Sequence, residues 1–593
     1  MYASPTKSGW KAALRNLSDR ISFFRAIPIR RDSCLNAMIR RPGAFLAALF
    51  LIATAATFVS AEETNAARLR RGQILYIANC SLCHQLTGRG AAESYPPLAG
   101  SDYLKDHRTN SILAIVQGMS GRITVNGRSF DNQMPAAVLD DSSVADVLTF
   151  VYNSWGNPGG DFSTEEVRQV RSRSTFKTYE DLVKANEYPP IPRAPEGFQI
   201  RELARLKDFA TRIASDGQGR RLYLLSPNGH VSRLDIASRA LTNLFRADDY
   251  IDASRGSPST LGMALDPQGR LWITCNQRNE AVRPFQTNEV TIFWTSGTSA
   301  QGDPIKPVPW FRTSYPWGIG PYNHGVSHLT FGRDGLLYVS SGSRTDGGEA
   351  GNDDRLGAMG ETSITAALWR FNPKSTTPEI EVIARGIRNA WSFAWDGDGQ
   401  LFTVSNGPDQ HAGEEMDWVR PGKNLHHGFP FQFEDWPIGR KAYPHTPEAP
   451  PNLQFAHPVV NLGPDGWFSG KAGHTFHPHS SPAGMVWLDG SWPESVRNSF
   501  LIGRFGNLIK AVEDRDVGFD VLSARMEKTI TGDFAAHTHR FLAPLGRPID
   551  IHMAGGRIYI LEYTRPTTFK DQRGWLPGRV LELTPSRAAA KAP

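Results

Sequence analysis

The stretch HLTFGRDGLLYVS, residues 328–340, alternates apolar and polar side chains on both sides of an Asp334–Gly335 turn. Two antiparallel strands joined by a tight hairpin have that signature. The pattern returns at Gly262–Thr274 (GMALDPQGRLWIT), Ser392–Val404 (SFAWDGDGQLFTV) and Ile549–Ile560 (IDIHMAGGRIYI). Arg221–Leu224 repeats it in outline, and Gly484–Gly503 carries it with a longer turn. Six copies, spaced by roughly 50 to 100 residues, predict a six-bladed β-propeller with long loops between small sheets, because radial repetition covers faces that isolated sheets would expose. A pair of β-sandwiches is the alternative. The fold class expected is mainly β, with the propeller over residues 197–586 and a tail over 587–593.

Composition agrees with a large globular chain: 593 residues, 40% hydrophobic and 21% charged, exceed one compact core. A disordered tail protein, a disulfide miniprotein and a polytopic membrane protein are excluded. The net charge of +6 has a local origin. Residues 1–61 hold 9 Lys/Arg and 2 Asp/Glu, which leaves 56 basic and 57 acidic groups in the remainder, so no nucleic-acid partner is expected. Within this leader, Arg40 and Arg41 precede the apolar run Ala44–Val59 and the small residues Ser60 and Ala61. That order predicts a signal peptide cleaved after Ala61 and a periplasmic protein; an uncleaved anchor is the alternative, and only then is the membrane a partner.

Residues 62–157 read as a small all-α domain. Cys80, Ser81, Leu82, Cys83 and His84 spell C-x-x-C-H, in which two thiols form thioethers to one covalent haem c while the imidazole takes the iron. Zinc would want a second ligand pair, and a thioredoxin-type motif a βαβ frame. The sixth iron ligand is expected from Met134, with Met119 the weaker candidate. A helix is predicted before the motif, over Ala66–Asn79, and a last one over Ser142–Trp155 with Val144, Val147, Leu148 and Val151 on one face. The stretch resembles the cytochrome c domains attached to bacterial quinoprotein dehydrogenases. Residues 158–196, with Pro189, Pro190, Pro192 and Pro195, read as a semi-stiff linker. Cys34 leaves with the leader, and Cys275 reads as a buried apolar thiol.

Four loop clusters on the propeller carry chemistry: Asn323–His324; Arg388–Asn389; Asn406–Gly407–Pro408 followed by Glu414, Glu415 and Asp417; and Arg504 with Arg547. Three arginines on different blades require either a carboxylate apiece or a shared polyanion. Adjacent carbonyls at Gly407 and Pro408 suit Ca²⁺. Asp346, Glu349, Asp353 and Asp354 lack an EF-hand pattern and read as an acidic solvated loop.

NHGVSHLTFGRDGLLYV, GIRNAWSFAWDGDGQLFTVSNGPD, EEMDWVRPGKN, GRFG and GRPIDI resemble the glucose/sorbosone dehydrogenase family, whose soluble quinoprotein glucose dehydrogenases use pyrroloquinoline quinone (PQQ) and Ca²⁺. The resemblance implies His324 as general base and places Arg388 and Asn389 beside the quinone. It gives Asn406 and His479 as further cofactor contacts, Gly407 and Pro408 as Ca²⁺ ligands, and Arg504 and Arg547 as ligands of quinone carboxylates. The insertion His411–Gly413 puts a structural Ca²⁺ site near Glu414 in doubt. The function implied is a PQQ- and Ca²⁺-dependent dehydrogenase of a sugar, aldehyde or alcohol that passes electrons to its own haem iron and on to a downstream cytochrome or respiratory acceptor. The rivals are a non-catalytic ligand- or protein-binding propeller and a Ca²⁺-dependent hydrolase; the fused cytochrome argues against the first, and the arginine-rich pocket against the second.

Overall fold

The computed structural model describes residues 66–586 apart from 77–78, 86, 91–94, 120, 132–133, 135, 138, 179–180, 182–189, 217, 283–285, 319–322, 349–359, 409–411, 434–435, 437–438, 445, 465–466, 469–470, 473–474, 508–516 and 565–576. The leader with Cys34 and its expected cleavage site, the 587–593 tail, Glu349, Asp353, Asp354 and His411 lie outside the described residues. Arg68–Pro593 forms one compact unit.

Its N-terminal part is helical: residues 66–76, then Ser81–His84, Asp102–Asp106, Arg108–Val116 and Asp141–Tyr152. The last helix starts where its sequence predicts, because the Asp140 carboxylate accepts from Ser143 N at 2.7 Å and caps it. Val144, Val147, Leu148 and Val151 of its apolar face are all at most 3% exposed and pack with Tyr76, Ile112 and Val116. Two features depart from expectation. A hairpin, Ile123–Val125 with Arg128–Phe130, interrupts the all-α pattern at an Asn126–Gly127 turn whose residues both have positive φ, 51° and 75°. The segment read as linker also opens with structure. Helix Thr164–Arg171, capped by Ser163, buries Val167 and Val170 in the same core, while Arg171 pairs with Asp141 at 2.6 Å.

The rest is a ring of six antiparallel sheets. Blade 1 runs Arg212–Ser215, Arg221–Leu225, Val231–Asp235 and Leu241–Phe245; blade 2 runs Ser257–Leu265, Leu271–Asn279, Thr287–Thr295 and Pro307–Pro316. Blade 3 is Val326–Phe331, Leu337–Ser341, Ala367–Phe371 and Glu381–Arg385, and blade 4 is Ala390–Trp395, Leu401–Ser405 and Glu415–Val419. Blade 5 comprises Pro482–Leu488, Ser499–Arg504, Asp520–Lys528 and Phe534–Leu542, widened by Val460–Asn461, which pairs parallel to the outer strand. Blade 6 takes Arg547–Ala554, Arg557–Tyr563 and Arg579–Pro585, and its fourth strand is Phe198–Arg205 from the start of the propeller. Five of the six sequence copies are each the inner strand pair of one blade, and the sixth, Arg221–Leu224, is the second strand of blade 1. The inner strands touch in succession, and blade 6 touches blade 1, so the ring is closed. Cys275 is buried within blade 2.

Inner strands approach closely around the axis. A Cβ on Gly262 would stand 1.9 Å from Ser327 O of the next blade, and one on Gly484 would stand 2.2 Å from Ile551 N. Only hydrogen fits in either place. Arg212, fully buried, ties the ring across: it donates to Leu261 O and Trp391 O at 2.6 Å each, stacks over the Trp391 ring at 4.6 Å and pairs with Asp550 at 3.4 Å.

Gly262→Ala is expected to lower stability by about 1–3 kcal/mol, the usual cost of overpacking, as read from the midpoint of a denaturant titration. An unchanged midpoint would show that the inner strands are free to spread.

Candidate active site

The short helix Ser81–His84 starts at Cys80 and places both cysteines and the histidine against one apolar cleft, lined also by Leu98, Ile115, Phe130, Met119 and Met134. His84 Nδ1 lies 3.0 Å from Pro96 O. A carbonyl only accepts, so Nδ1 carries the hydrogen and Nε2 keeps its lone pair for iron. Burial pushes the Cys80 thiol up to about 12 and the Cys83 thiol up to about 11. Neither is therefore a resting thiolate, and among the described residues no group of three His, Cys, Asp or Glu side chains is placed to hold a metal. These residues fit a covalently attached haem. Met119 and Met134 exchange two main-chain hydrogen bonds of 2.8 Å, so the two expected sulfur donors stand side by side.

On the propeller, the loop clusters converge through hydrogen bonds that run from blade to blade. His324 N donates to Ser343 O at 2.9 Å, and Ser343 N donates to Arg388 O at 2.7 Å. The Arg388 guanidinium donates to Asn406 O at 2.9 Å and Asp346 O at 2.8 Å, and it pairs with the Asp346 carboxylate, to which Tyr443 also donates. Asn406 N donates to Asn389 O at 3.1 Å. Gly407 N donates to the Glu414 carboxylate at 2.7 Å, which also receives Ser481 N at 3.3 Å and the main chain of His479. Phe505 N and Gly506 N reach Ser481 O and Ser480 O at 2.9 and 3.0 Å, and the carbonyls of Phe505, Gly506 and Asn507 accept from Arg547 at 3.3–3.5 Å. His324, Arg388, Asn389, Asn406, Gly407, His479 and Arg547 thus belong to one network.

Its electrostatics follow from burial. Desolvation and then the Arg388 charge hold His324 well below its ordinary pKa, so the imidazole is neutral at neutral pH. Burial lifts the Glu414 carboxyl to about 7 against the main-chain donors that favour its anion. Arg504, like Arg388, is met by a buried carboxylate. It makes a two-pronged pair with Asp520 at 2.8 and 2.7 Å, both side chains at most 2% exposed, so its charge already has a carboxylate. Asp346, read as part of a solvated loop, is fully buried as the counterion of Arg388.

The residues present fit a polar cofactor with a hard cation. Asn323 Oδ1 and Asn406 Oδ1 are buried without a hydrogen-bond partner among the described residues, which marks acceptors left for a ligand. A Cβ on Gly407 would lie 2.9 Å from Gly413 O and 3.2 Å from Ala412 O, so hard oxygen donors stand close to this loop. The arginine of the second module is also felt at the first: the Arg547 charge opposes the rise in the Cys83 pKa.

Residues 69–155 match the family model for cytochrome c, and residues 317–513 match that for glucose / sorbosone dehydrogenase. The chain carries a domain of each family. Cys80, Cys83, His84 and Met134 fall inside the first match; His324, Arg388, Asn389, Asn406, Gly407, Pro408, His479 and Arg504 fall inside the second, and Arg547 lies beyond it. A cytochrome c domain implies haem. Among curated relatives, the cytochrome c subunit of a quinone-type alcohol dehydrogenase of Gluconobacter oxydans is 31% identical over 110 residues, 17% of this chain and 22% of that protein. A fructose dehydrogenase cytochrome subunit of Gluconobacter japonicus is 29% identical over 106 residues, with the same coverage. The chain therefore spans about a fifth of the length of the relatives it matches. Two solved structures resemble the propeller: the PQQ-bound aldose sugar dehydrogenase of Streptomyces coelicolor (18% identity, TM-score 0.42, 66% of this chain and 99% of that one) and the apo aldose sugar dehydrogenase of Escherichia coli (15%, 0.45, 66% and 100%).

Reasoning from sequence missed Ser343, Asp520 and the burial of Asp346. Asp520 is the strand partner of Arg504, a relation that only the register reveals.

Met134→Ala is expected to abolish the sulfur-ligation signature in the oxidised haem spectrum, whereas Met119→Ala keeps it; the reverse pattern exchanges the two assignments. Asp520→Ala, which strands Arg504 in the interior, is expected to cost about 3–5 kcal/mol by denaturant titration. A cost below about 1 kcal/mol would show that Arg504 is held by something else.

Proposed function

We propose that this chain is a periplasmic quinohaemoprotein dehydrogenase that oxidises a sugar, an aldehyde or an alcohol with PQQ and Ca²⁺ and hands the electrons to its own haem c. One observation carries the reading: a glucose/sorbosone dehydrogenase domain whose buried network gathers His324, Arg388, Asn389, Asn406 and Gly407 lies in one compact unit with a cytochrome c domain. A fused electron carrier implies an electron donor. PQQ, when bound with Ca²⁺, supplies the two-electron acceptor, and haem c the one-electron outlet.

The chain's own residues do the rest. Neutral His324 takes the proton of a substrate hydroxyl at Nε2. Arg388, held by Asp346, and the amides of Asn389 and Asn406 bind and orient the cofactor, with His479 beside them. The carbonyls of Gly407 and Pro408 would hold the cation, and Glu414 fixes Gly407 in place by accepting from its main-chain N–H. Arg504, while paired with Asp520, and Arg547 would bind cofactor carboxylates. His84 Nε2 and the Met134 sulfur would hold the haem iron, and a downstream cytochrome or respiratory component would take the electrons onward.

The test is to load the full-length haem protein with PQQ and Ca²⁺, add sugars, aldehydes and alcohols in turn, and follow the haem absorbance. Reduction by one class identifies the substrate; no reduction by any member sinks the reading. His324→Ala is expected to lower turnover at least about 100-fold while PQQ affinity is unchanged, and Arg388→Ala to weaken both. Surviving turnover in His324→Ala would remove the base assignment, and wild-type quinone affinity in Arg388→Ala would remove its binding role.

A further inference from the structure

We propose that Ser343 is the positioning residue of His324, its two oxygens holding the imidazole as the Nδ1–H tautomer so that Nε2 is the proton acceptor. This deepens, and rests on, the reading of His324 as the base. His324 Nδ1 lies 3.1 Å from Ser343 O and 3.0 Å from Ser343 Oγ. The carbonyl only accepts. The hydroxyl has a single proton, and it is committed to Thr345 O at 2.6 Å, so toward the ring this oxygen also accepts. Both contacts therefore require hydrogen on Nδ1, and the lone pair is left on Nε2.

Ser343 is itself rigidly held. It is fully buried, and its N–H is donated to Arg388 O at 2.7 Å. The next two residues donate their main-chain N–H groups to the Glu361 carboxylate at 3.0 Å each. The Arg344 guanidinium spans Pro316 O, Trp317 O and Gly360 O at 2.7–3.0 Å. A neutral hydroxyl orients the ring without adding charge. The charged group acting on His324 is Arg388, itself paired with Asp346 and Tyr443, while Arg344 and Glu361 stand behind Ser343. Such a base stays unprotonated well into acid, which a carboxylate partner would not allow.

Nitrogen-15 NMR of histidine-labelled, ascorbate-reduced full-length protein is expected to show a protonated Nδ1 and a bare Nε2 for His324, its signals identified by their absence in His324→Ala. In the PQQ- and Ca²⁺-loaded enzyme, Ser343→Ala is expected to lower kcat about tenfold with KM and quinone affinity unchanged. Ser343→Asp is expected to move the acid limb of the kcat/KM profile upward by about 1–3 pH units. An Nε2–H signature in the wild type overturns the proposal, as does an acid limb that stays in place in folded, quinone-binding Ser343→Asp. Should that variant not fold, the wild-type tautomer and Ser343→Ala decide. If the loaded wild type oxidises nothing, the proposed function falls, while the NMR signature still reports the tautomer.

Discussion

Crowding at the propeller axis is the constraint on which the molecule depends. Six inner strands pack side by side, and at Gly262 and Gly484 the neighbouring backbone occupies the space a side chain would need. Arg212 links the blades further, pairing with Asp550 and stacking on Trp391. Because the inner strands are fixed this tightly, the loops that leave their ends are fixed too. His324 and Arg388 stand on such loops, just before the inner strands of blades 3 and 4, and Asn406 follows the second strand of blade 4.

Burying so many guanidinium groups is costly unless each finds acceptors, and the structure meets that requirement in three ways. Arg504 has a carboxylate on the adjacent strand, Arg388 has one from a neighbouring loop, and Arg547 has main-chain carbonyls and two aromatic rings, Phe505 and Phe519.

The blades were legible because their evidence is local: a turn such as Asp334–Gly335 and the alternation around it lie within a dozen residues. The haem motif was legible for the same reason. Helix Thr164–Arg171 was not, since its apolar face is only Val167 and Val170 inside a charged, proline-flanked stretch, although Ser163 and Glu166 offered a capping signal. The Asn126–Gly127 hairpin also had its turn dipeptide in view, hidden by the expectation of an all-helical domain. Arg504–Asp520 and His324–Ser343 depend on strand register and on loops brought together across the ring. No local pattern encodes those contacts.

Closure of the ring by Phe198–Arg205 against Arg579–Pro585 has a consequence for biosynthesis. The strand Phe198–Arg205 waits for Arg579–Pro585, made at the far end of the propeller, so the ring stays open until the last blade has been made. The helical module is complete in sequence long before that. Its cofactor attachment and its folding therefore have a window in which the larger partner is still unfinished.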